Sequence, residues 1–509
     1  MKKYIIGTDI GTQSIKVQLY DEKLQLVAKV STEQYVETPK PMWMTQNAKK
    51  WWEIITENIK VVIGKAGISG SEVVAFGCCA HMHGAVPVKM DGTIVQENIQ
   101  LYSDKRGSYI SDQITEKMTD ELFNLSANMP IPSWHGIKIK WLKENDPKVY
   151  EEADKFLTPK DFINFKMTGR ACIDYSEASG VFAMDQKTGK WSDELLEILG
   201  IDKDKLPEIQ NAYDIVGKVS AKAAEETGLT ENTVVITGGG DMLSMLYVSG
   251  MYRKGTVVDT TGTGGVICAY TDSPVMDKRI MNLRHVLDGW VPFGNIDAAG
   301  ISFRFLRDNL CKLEYEEAKA KGRDVYSYLS DIAAKTPAGA SGLYFLPYLM
   351  GERTMGSSDS RGCFIGMSMD KEIGHFIRAV LEGVAFEFKR TLDVFEARGN
   401  NFDAVYHCGG AAKGDFWNQI KADIYEKPIY TLETDEGGVL GVTLLAAYAV
   451  GIIDDLIEGA ESIVKIRKIY EPNQTNFAVY REMADVFGEL HDTLQNSFKH
   501  MARVQEKYR

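Results

Sequence analysis

The chain has 509 residues, 44% hydrophobic and 25% charged, and a net charge of −13. At roughly 100–200 residues per domain this length needs more than one core, and two large units are expected. The acidic balance argues against nucleic acid or an anionic membrane as partner, since gripping phosphate backbones takes clustered Lys and Arg.

Met1-Lys2-Lys3 leads straight into a strand without the apolar stretch of a signal peptide, and no apolar run approaches the roughly 20 residues of a membrane helix, so a cytoplasmic location is expected. Tyr4–Asp9 reads as a strand, Gly11–Ser14 as a turn and Ile15–Tyr20 as a second, alternating strand, which together make a hairpin. Backbone N–H groups and the side chains of Thr12, Gln13 and Ser14 at its tip can converge on an anion such as phosphate. Asp9, at the end of the first strand, suits a magnesium ion bridged to that phosphate, through water. A plain hairpin would carry the same pattern.

The loop Pro41–Gln46 offers Trp43 as a residue that could line a site or simply pack. Residues 48–63 carry Trp51, Trp52, Ile55, Ile59 and Val62 at helical spacing, an amphipathic helix against the first sheet. The strand Val73–Cys79 ends in Ala80-His81-Met82-His83-Gly84. Its cysteines, with Cys268 and Cys408, read as reduced core residues: seven cysteines without C-x-x-C spacing make neither a disulfide framework nor a zinc site. On an extended strand His81 and His83 point to one side, and the natural partner for two neutral imidazoles is a polyhydroxylated ligand. Ser103-Asp104-Lys105-Arg106 is a charged turn that could add sugar contacts, and Asp174–Gly180 reads as a polar turn.

The strand ending at Thr237 leads into Gly238-Gly239-Gly240-Asp241-Met242, where three glycines turn the backbone sharply and present one carboxylate. Such a sequence can be a surface turn. Twenty residues on, Gly255–Tyr270 repeats strand, Gly-Thr turn and strand, with Gly262-Thr263 corresponding to Gly11-Thr12. Two similar hairpins some 250 residues apart suggest two halves of similar build with a cleft between them. Gly300 opens a helix whose N-terminus could face phosphate. An apolar stripe marks 372–392 as a core helix, Gly409-Gly410 lets a flat base or ribose approach the backbone, Glu436–Gly441 repeats the glycine theme, and the tail is an amphipathic helix closing the second unit.

Two phosphate-type hairpins, an aspartate at a strand end between them and a Gly-Gly turn, in this order, resemble the FGGY family of carbohydrate kinases. The likeness is most specific at Gly362–Met367 with His375-Phe376 and Ala379–Glu382. That stretch resembles the family's second signature, and Lys138–Asn145 resembles its first, although His135 stands where the family prefers Pro, Ser or Thr. Met82-His83-Gly84 and Tyr348–Thr354 look like the xylulokinase branch. The resemblance implies an α/β fold of two actin- and hexokinase-like (ribonuclease H-like) domains, each with a mixed five-stranded sheet, over a central cleft. The expected division is 1–247 for sugar and 248–509 for nucleotide.

It further implies ATP and Mg2+ as cofactors, Asp241 as catalytic base, Asp9 at magnesium and phosphate, and Met82 and His83 at the sugar. Thr12, Thr261, Gly262, Thr263, Gly300, Gly409 and Gly410 would surround the nucleotide. The implied reaction is phosphorylation of D-xylulose to D-xylulose 5-phosphate; L-xylulose, ribulose, erythritol or gluconate, or a non-catalytic ATP-binding role, are the alternatives. His81, where that branch has Gln, and Met242, where it has Asn, leave the substrate open. Oligomeric state is open too, a homodimer included.

Overall fold

The computed structural model describes residues 2–508 apart from Arg353 and residues 434–436. Arg353 of the Tyr348–Thr354 run and Glu436 of the glycine turn therefore lie outside the described residues.

In the first lobe, strands β1 (Tyr4–Ile10), β2 (Ser14–Asp21) and β3 (Leu26–Glu33) form an antiparallel meander. β4 (Val73–Ala80) joins β1 in parallel and β6 (Val234–Ile236) joins β4 in parallel, with β5 (Ile215–Lys218) antiparallel at the edge. A two-residue strand β7 (Gly239–Gly240) continues the pairing along β4. Among the helices of this half are α1 (Ala48–Ala66), α2 (His135–Asn145), α3 (Pro159–Thr168), α4 (Tyr175–Ser179) and α5 (Asp241–Tyr247). α1 buries the expected stripe of Trp51, Trp52, Ile55, Ile59 and Val62, starts on an Asn47 cap and stops at Gly67 in the left-handed region.

The second lobe repeats the order. β8 (Val257–Thr261) and β9 (Gly265–Ala269) are the second hairpin, flanked by β10 (Met281–Arg284) and β11 (Trp290–Ile296); β12 (Val405–Cys408) and β13 (Ile429–Leu432) run parallel to β8, and β14 (Ile466–Tyr470) closes the far edge. Its helices include α6 (Gly300–Asn309), α7 (Ile373–Ala397), α8 (Asp415–Tyr425), α9 (Gly438–Ala449) and α10 (Phe477–Lys507). The five-strand pattern β3-β2-β1-β4-β6 matches β11-β9-β8-β12-β13 strand for strand and direction for direction. Each sheet is nevertheless seven-stranded, not five-stranded. The added strands are short, and β14 is mostly exposed with Arg467 and Lys468 at its middle, so none leaves a clear alternation in the sequence.

α9 belongs by sequence to the second half and packs on the first sheet. Gly7 and Gly77 are register partners at the centre of that sheet, and a Cβ at Gly7 would lie 2.8 Å from the Val439 carbonyl oxygen, one at Gly77 2.9 Å from that of Val442. The helix thus rests directly on strand backbone. At Gly441 it crosses α5 so closely that a Cβ there would sit 2.1 Å from the Ser244 carbonyl oxygen. One apolar cluster runs from Ile5 and Ala75 through Leu243, Leu246, Val439 and Leu444 to Val258 and Cys268, joining both sheets. The expected boundary at 247/248 separates the two sheets but not the packing units. Lower down, Asn282 donates its N–H to Asn128 Oδ1 and Asn128 Nδ2 donates to the Asn282 carbonyl, each at 2.8 Å, a buried reciprocal pair between the halves.

Candidate active site

The three glycines do separate work. Gly238 has φ of 70° and passes so close to β4 that a Cβ would be 2.0 Å from the Cys78 carbonyl oxygen. Gly239 and Gly240 then pair with Cys79 and Ala80, and the next residue, Asp241, opens α5. On the other side of β4, Asp9 and Ile10 pair with the same two residues. Asp9 and Asp241 therefore flank the end of β4, two strand spacings or roughly 10 Å apart along the sheet.

Asp241 Oδ1 accepts the Met242 N–H at 2.7 Å. Burial, reinforced by the charge of Asp9, pushes its carboxyl up to about 7. Burial also raises Asp9, opposed by Lys16, whose Nζ lies 3.6 Å from Oδ2, and Asp9 Oδ1 is buried without a partner. A carboxylate pair that repels itself, with an orphaned oxygen and one exposed lysine beside it, is a fit for a divalent cation held chiefly by phosphate and water.

His81, Met82 and His83 continue past the end of β4, where the chain turns rather than staying extended: His83 has φ of 68°. The two rings consequently diverge, His81 edge-on to Trp51 at 5.3 Å and His83 edge-on to Trp134 at 5.0 Å, so the expected same-side pair is not formed. Burial holds both imidazoles neutral, His81 at about 4 and His83 well below its usual value. Met82 packs beneath Gly240, where a Cβ would lie 2.6 Å from its sulfur. The His83 N–H donates to Glu177 Oε2 at 3.3 Å. Both His81 ring nitrogens, His83 Nδ1 and Glu177 Oε1 are buried without partners, a set of donors and acceptors that hydroxyl groups can satisfy.

Glu177 is a residue the sequence reading misses. The expected polar turn at 174–180 is the end of a strand at Asp174 followed by α4, capped by Asp174 Oδ2 accepting the Ser176 N–H at 2.8 Å. Ser176 Oγ accepts the Gly240 N–H at 3.0 Å, so this short helix holds the Gly238–Asp241 turn through Ser176 and the histidine loop through Glu177. Behind it Lys160 is ion-paired with Asp161 and, at 2.9 Å, with Asp174. Burial holds the Glu177 carboxyl well above its usual range, against the pull of Lys160.

Trp43 lies edge-on to Trp141 at 5.5 Å with the Arg106 guanidinium 3.7 Å above its ring. Asp104 is buried and both its oxygens are engaged, by Arg106 and by the Met44 N–H at 2.7 Å. Its work is to fix Arg106 and the Trp43 loop. Beside them Lys138 of α2 is buried, its ammonium lowered to about 7 by burial against the pull of Asp104 and Glu177.

At the first hairpin tip, Thr12 is half-buried and Gln13 exposed, with their carbonyls accepting from Gln46 Nε2 at 2.7 Å and the Gln34 N–H at 2.9 Å. In the second, Gly262 donates to the Gly264 carbonyl, and Gly300 and Ile301 at the start of α6 donate to the Gly262 and Thr263 carbonyls, each at 2.9–3.0 Å. The Gly300 amide is thus used to anchor the tip, where Gly262 and Thr263 are exposed. Gly409, with φ of 86°, abuts Thr261, since a Cβ would lie 2.8 Å from the Thr261 carbonyl oxygen. Gly410 is open, with nothing within 4 Å of a Cβ. A cavity of about 200 Å³ opens at this turn between Met245, Ser249, His407, Gly409, Thr431 and Arg467.

Two lobes of duplicated topology, each with a glycine hairpin, and a carboxylate on each side of the end of β4 are the arrangement a two-lobed phosphotransferase needs. Residues 4–247 match the N-terminal domain of the FGGY family of carbohydrate kinases and residues 258–450 its C-terminal domain, and the chain belongs to that family. It is 29% identical to a xylulose kinase of Bacillus subtilis (strain 168), over 96% of this chain and 97% of that one. It is 30% identical to a gluconokinase of Bacillus licheniformis, over 99% of each. The solved structure of a ligand-bound xylulose kinase from Lactobacillus acidophilus superposes with a TM-score of 0.89 at 26% identity, covering 98% of this chain and all of that one. The protein is a sugar kinase, which sets aside a non-catalytic ATP-binding role. Among the described residues no helix is long and apolar enough to cross a membrane.

His83→Ala is expected to raise the KM for sugar about 5- to 100-fold, as loss of a hydrogen bond in a polar pocket does, while leaving the KM for ATP within two-fold. Initial-rate kinetics with each substrate varied in turn check this. His83→Asn, which tolerates the left-handed backbone, is expected to recover part of the loss.

Proposed function

We propose that this kinase transfers the γ-phosphate of ATP to the terminal hydroxyl of a pentulose, with D-xylulose to D-xylulose 5-phosphate as the preferred reaction. The observation that carries the reading is the placement of Asp9 and Asp241 on the two sides of one strand end, beside a neutral histidine loop. Sugar would lie against Met82, His83 and the Trp43 wall, with Asp241 facing its terminal hydroxyl. As the hydroxyl oxygen bonds to the γ-phosphorus and the bond to the leaving ADP oxygen breaks, Asp241 takes the proton and later gives it to solvent. Thr12 at the first tip, and the exposed Thr263 with its neighbouring amides at the second, would orient the phosphates.

Asp9 is the residue to hold Mg2+, through water, and the ion would neutralise charge on the phosphates. Chelation by EDTA is expected to abolish turnover, and excess Mg2+ to restore it.

An ADP-release assay over ketopentoses, polyols, gluconate and glycerol tests the reading; absence of sugar-dependent turnover with all of them would sink it. A sugar acid is the second reading, favoured by the gluconokinase relative and by Lys138 beside the histidine loop, where a carboxylate could be met.

The raised carboxyl of Asp241 has a kinetic signature. A base must be ionised, so kcat/KM for sugar is expected to climb from pH 5.5 and level off above an apparent pKa of about 7. Asp9→Asn removes the neighbouring charge and is expected to move this limb to lower pH. A limb that stays in place would contradict the coupling of the two carboxylates.

A further inference from the structure

Helix α8 carries Lys421 into the interior of the second lobe, where no part of it reaches solvent. Its Nζ donates to Asp259 Oδ2 and Thr261 Oγ1, both at 2.7 Å, and to His407 Nε2 at 3.0 Å. Because Nε2 accepts from an ammonium, the imidazole proton sits on Nδ1, which donates to Asn418 Oδ1 at 2.5 Å. Burial, with the Lys421 charge, holds His407 at about 4 and so neutral. Burial alone would raise Asp259, but the Lys421 charge and the Thr261 hydroxyl keep it below the usual carboxylate range. Its Oδ1 accepts the Thr261 hydroxyl at 2.6 Å and its Oδ2 also accepts from Tyr425 at 3.0 Å. Asn418 in turn donates to the Ala412 carbonyl at 2.9 Å.

The three acceptors of Lys421 lie beside two different loops. Asp259 and Thr261 lead directly into the Gly262–Gly264 tip, while His407 precedes Gly409 and the Asn418 link holds the turn after Gly410. The Thr261 hydroxyl both accepts and donates within this cluster, so it is spent on the scaffold. A buried ion pair of this kind is a weak source of stability, since well-packed apolar residues of similar volume commonly do as well. What the apolar alternative lacks is a directional, three-point tie between two loops.

We propose that Lys421 is a positioning residue that sets the spacing between the Thr261–Gly264 tip and the Gly409-Gly410 turn, and with it the fit of the nucleotide. The inference rests on the reading that both loops surround ATP. The geometry predicts a separation of stability from nucleotide binding. Lys421→Met alone strands a buried carboxylate and tests little beyond folding, so the informative variants are the Asp259→Leu/Lys421→Met/Tyr425→Phe triple, which also removes the hydroxyl that Asp259 holds, and Thr261→Val, which deletes only the bridging hydroxyl.

Both are expected to melt within a few degrees of the parent while the KM for ATP rises about 10-fold or more, since small misplacements at a reacting centre are costly. The KM for sugar is expected to stay within two-fold, and ADP binding by calorimetry to weaken in step with the ATP effect. Parent-like ADP affinity and ATP KM in both variants would overturn the proposal, leaving the cluster a folding device. The calorimetric arm needs no sugar. Failure of the parent protein to phosphorylate any sugar would therefore count against the kinase reaction proposed above and be distinguishable from failure here.

Discussion

Asp241→Asn is expected to lower sugar-dependent ATP turnover by about 10²–10⁴-fold, the range a general base contributes, with ADP affinity changed no more than a few-fold. The same variant is expected to be more heat-stable than the parent at pH 8. Folding raises this carboxyl from its ordinary value to about 7. Between those values the folded state binds more protons than the unfolded one, so stability falls as pH rises through that window, by at most about 4 kcal/mol for three units. Asparagine keeps the acceptor for the Met242 N–H and carries no charge, so it escapes the penalty. Its advantage should therefore be largest at pH 8 and shrink toward pH 5. Paired melting curves and kinetics at the two pH values check both halves; a variant less stable than the parent at pH 8 would contradict the raised carboxyl.

Gly441→Ala is expected to damage the protein more than any substitution of similar size on its surface. The added methyl would meet the Ser244 backbone at 2.1 Å, and neither chain is a flexible side chain that can swing aside. Overpacking of this order costs about 1–3 kcal/mol, or about 2–12 °C in Tm for domains of this size. Because α5 begins at Asp241, pushing it away from α9 should lower kcat as well. Gly64→Ala in α1, where nothing lies within 4 Å, is the matched control and should be neutral or slightly stabilising. Equal Tm and kcat in the two variants would show that the crossing is looser than described.

The parts legible in the sequence are those where backbone geometry demands a residue type. Three glycines before Asp241 announce a tight strand end with a carboxylate, and the repeated Gly-Thr turn announces the duplicated hairpin. The parts that were not legible depend on contacts distant in sequence. Nothing around Glu177 or Ser176 indicates that they hold His83 and Gly240, because the partners lie 94 and 64 residues away. Asp104 looks like a solvated or sugar-facing charge until Arg106 and Met44 are seen to use both its oxygens. His81 and His83 appear paired by spacing alone, since a left-handed residue at the end of a strand leaves no mark in a period-2 pattern.

The lodging of α9 on the first sheet bears on how the chain can be made. A ribosome delivers Gly7 and Gly77 long before Val439 and Val442, so the first sheet emerges with one face bare until nearly nine-tenths of the 509 residues exist. Over that interval the nascent first half has a groove cut for a helix that has not been synthesised. Expressed alone, residues 1–247 would keep that groove open and are expected to aggregate, and supplying residues 248–509 in trans should rescue solubility by delivering the missing helix.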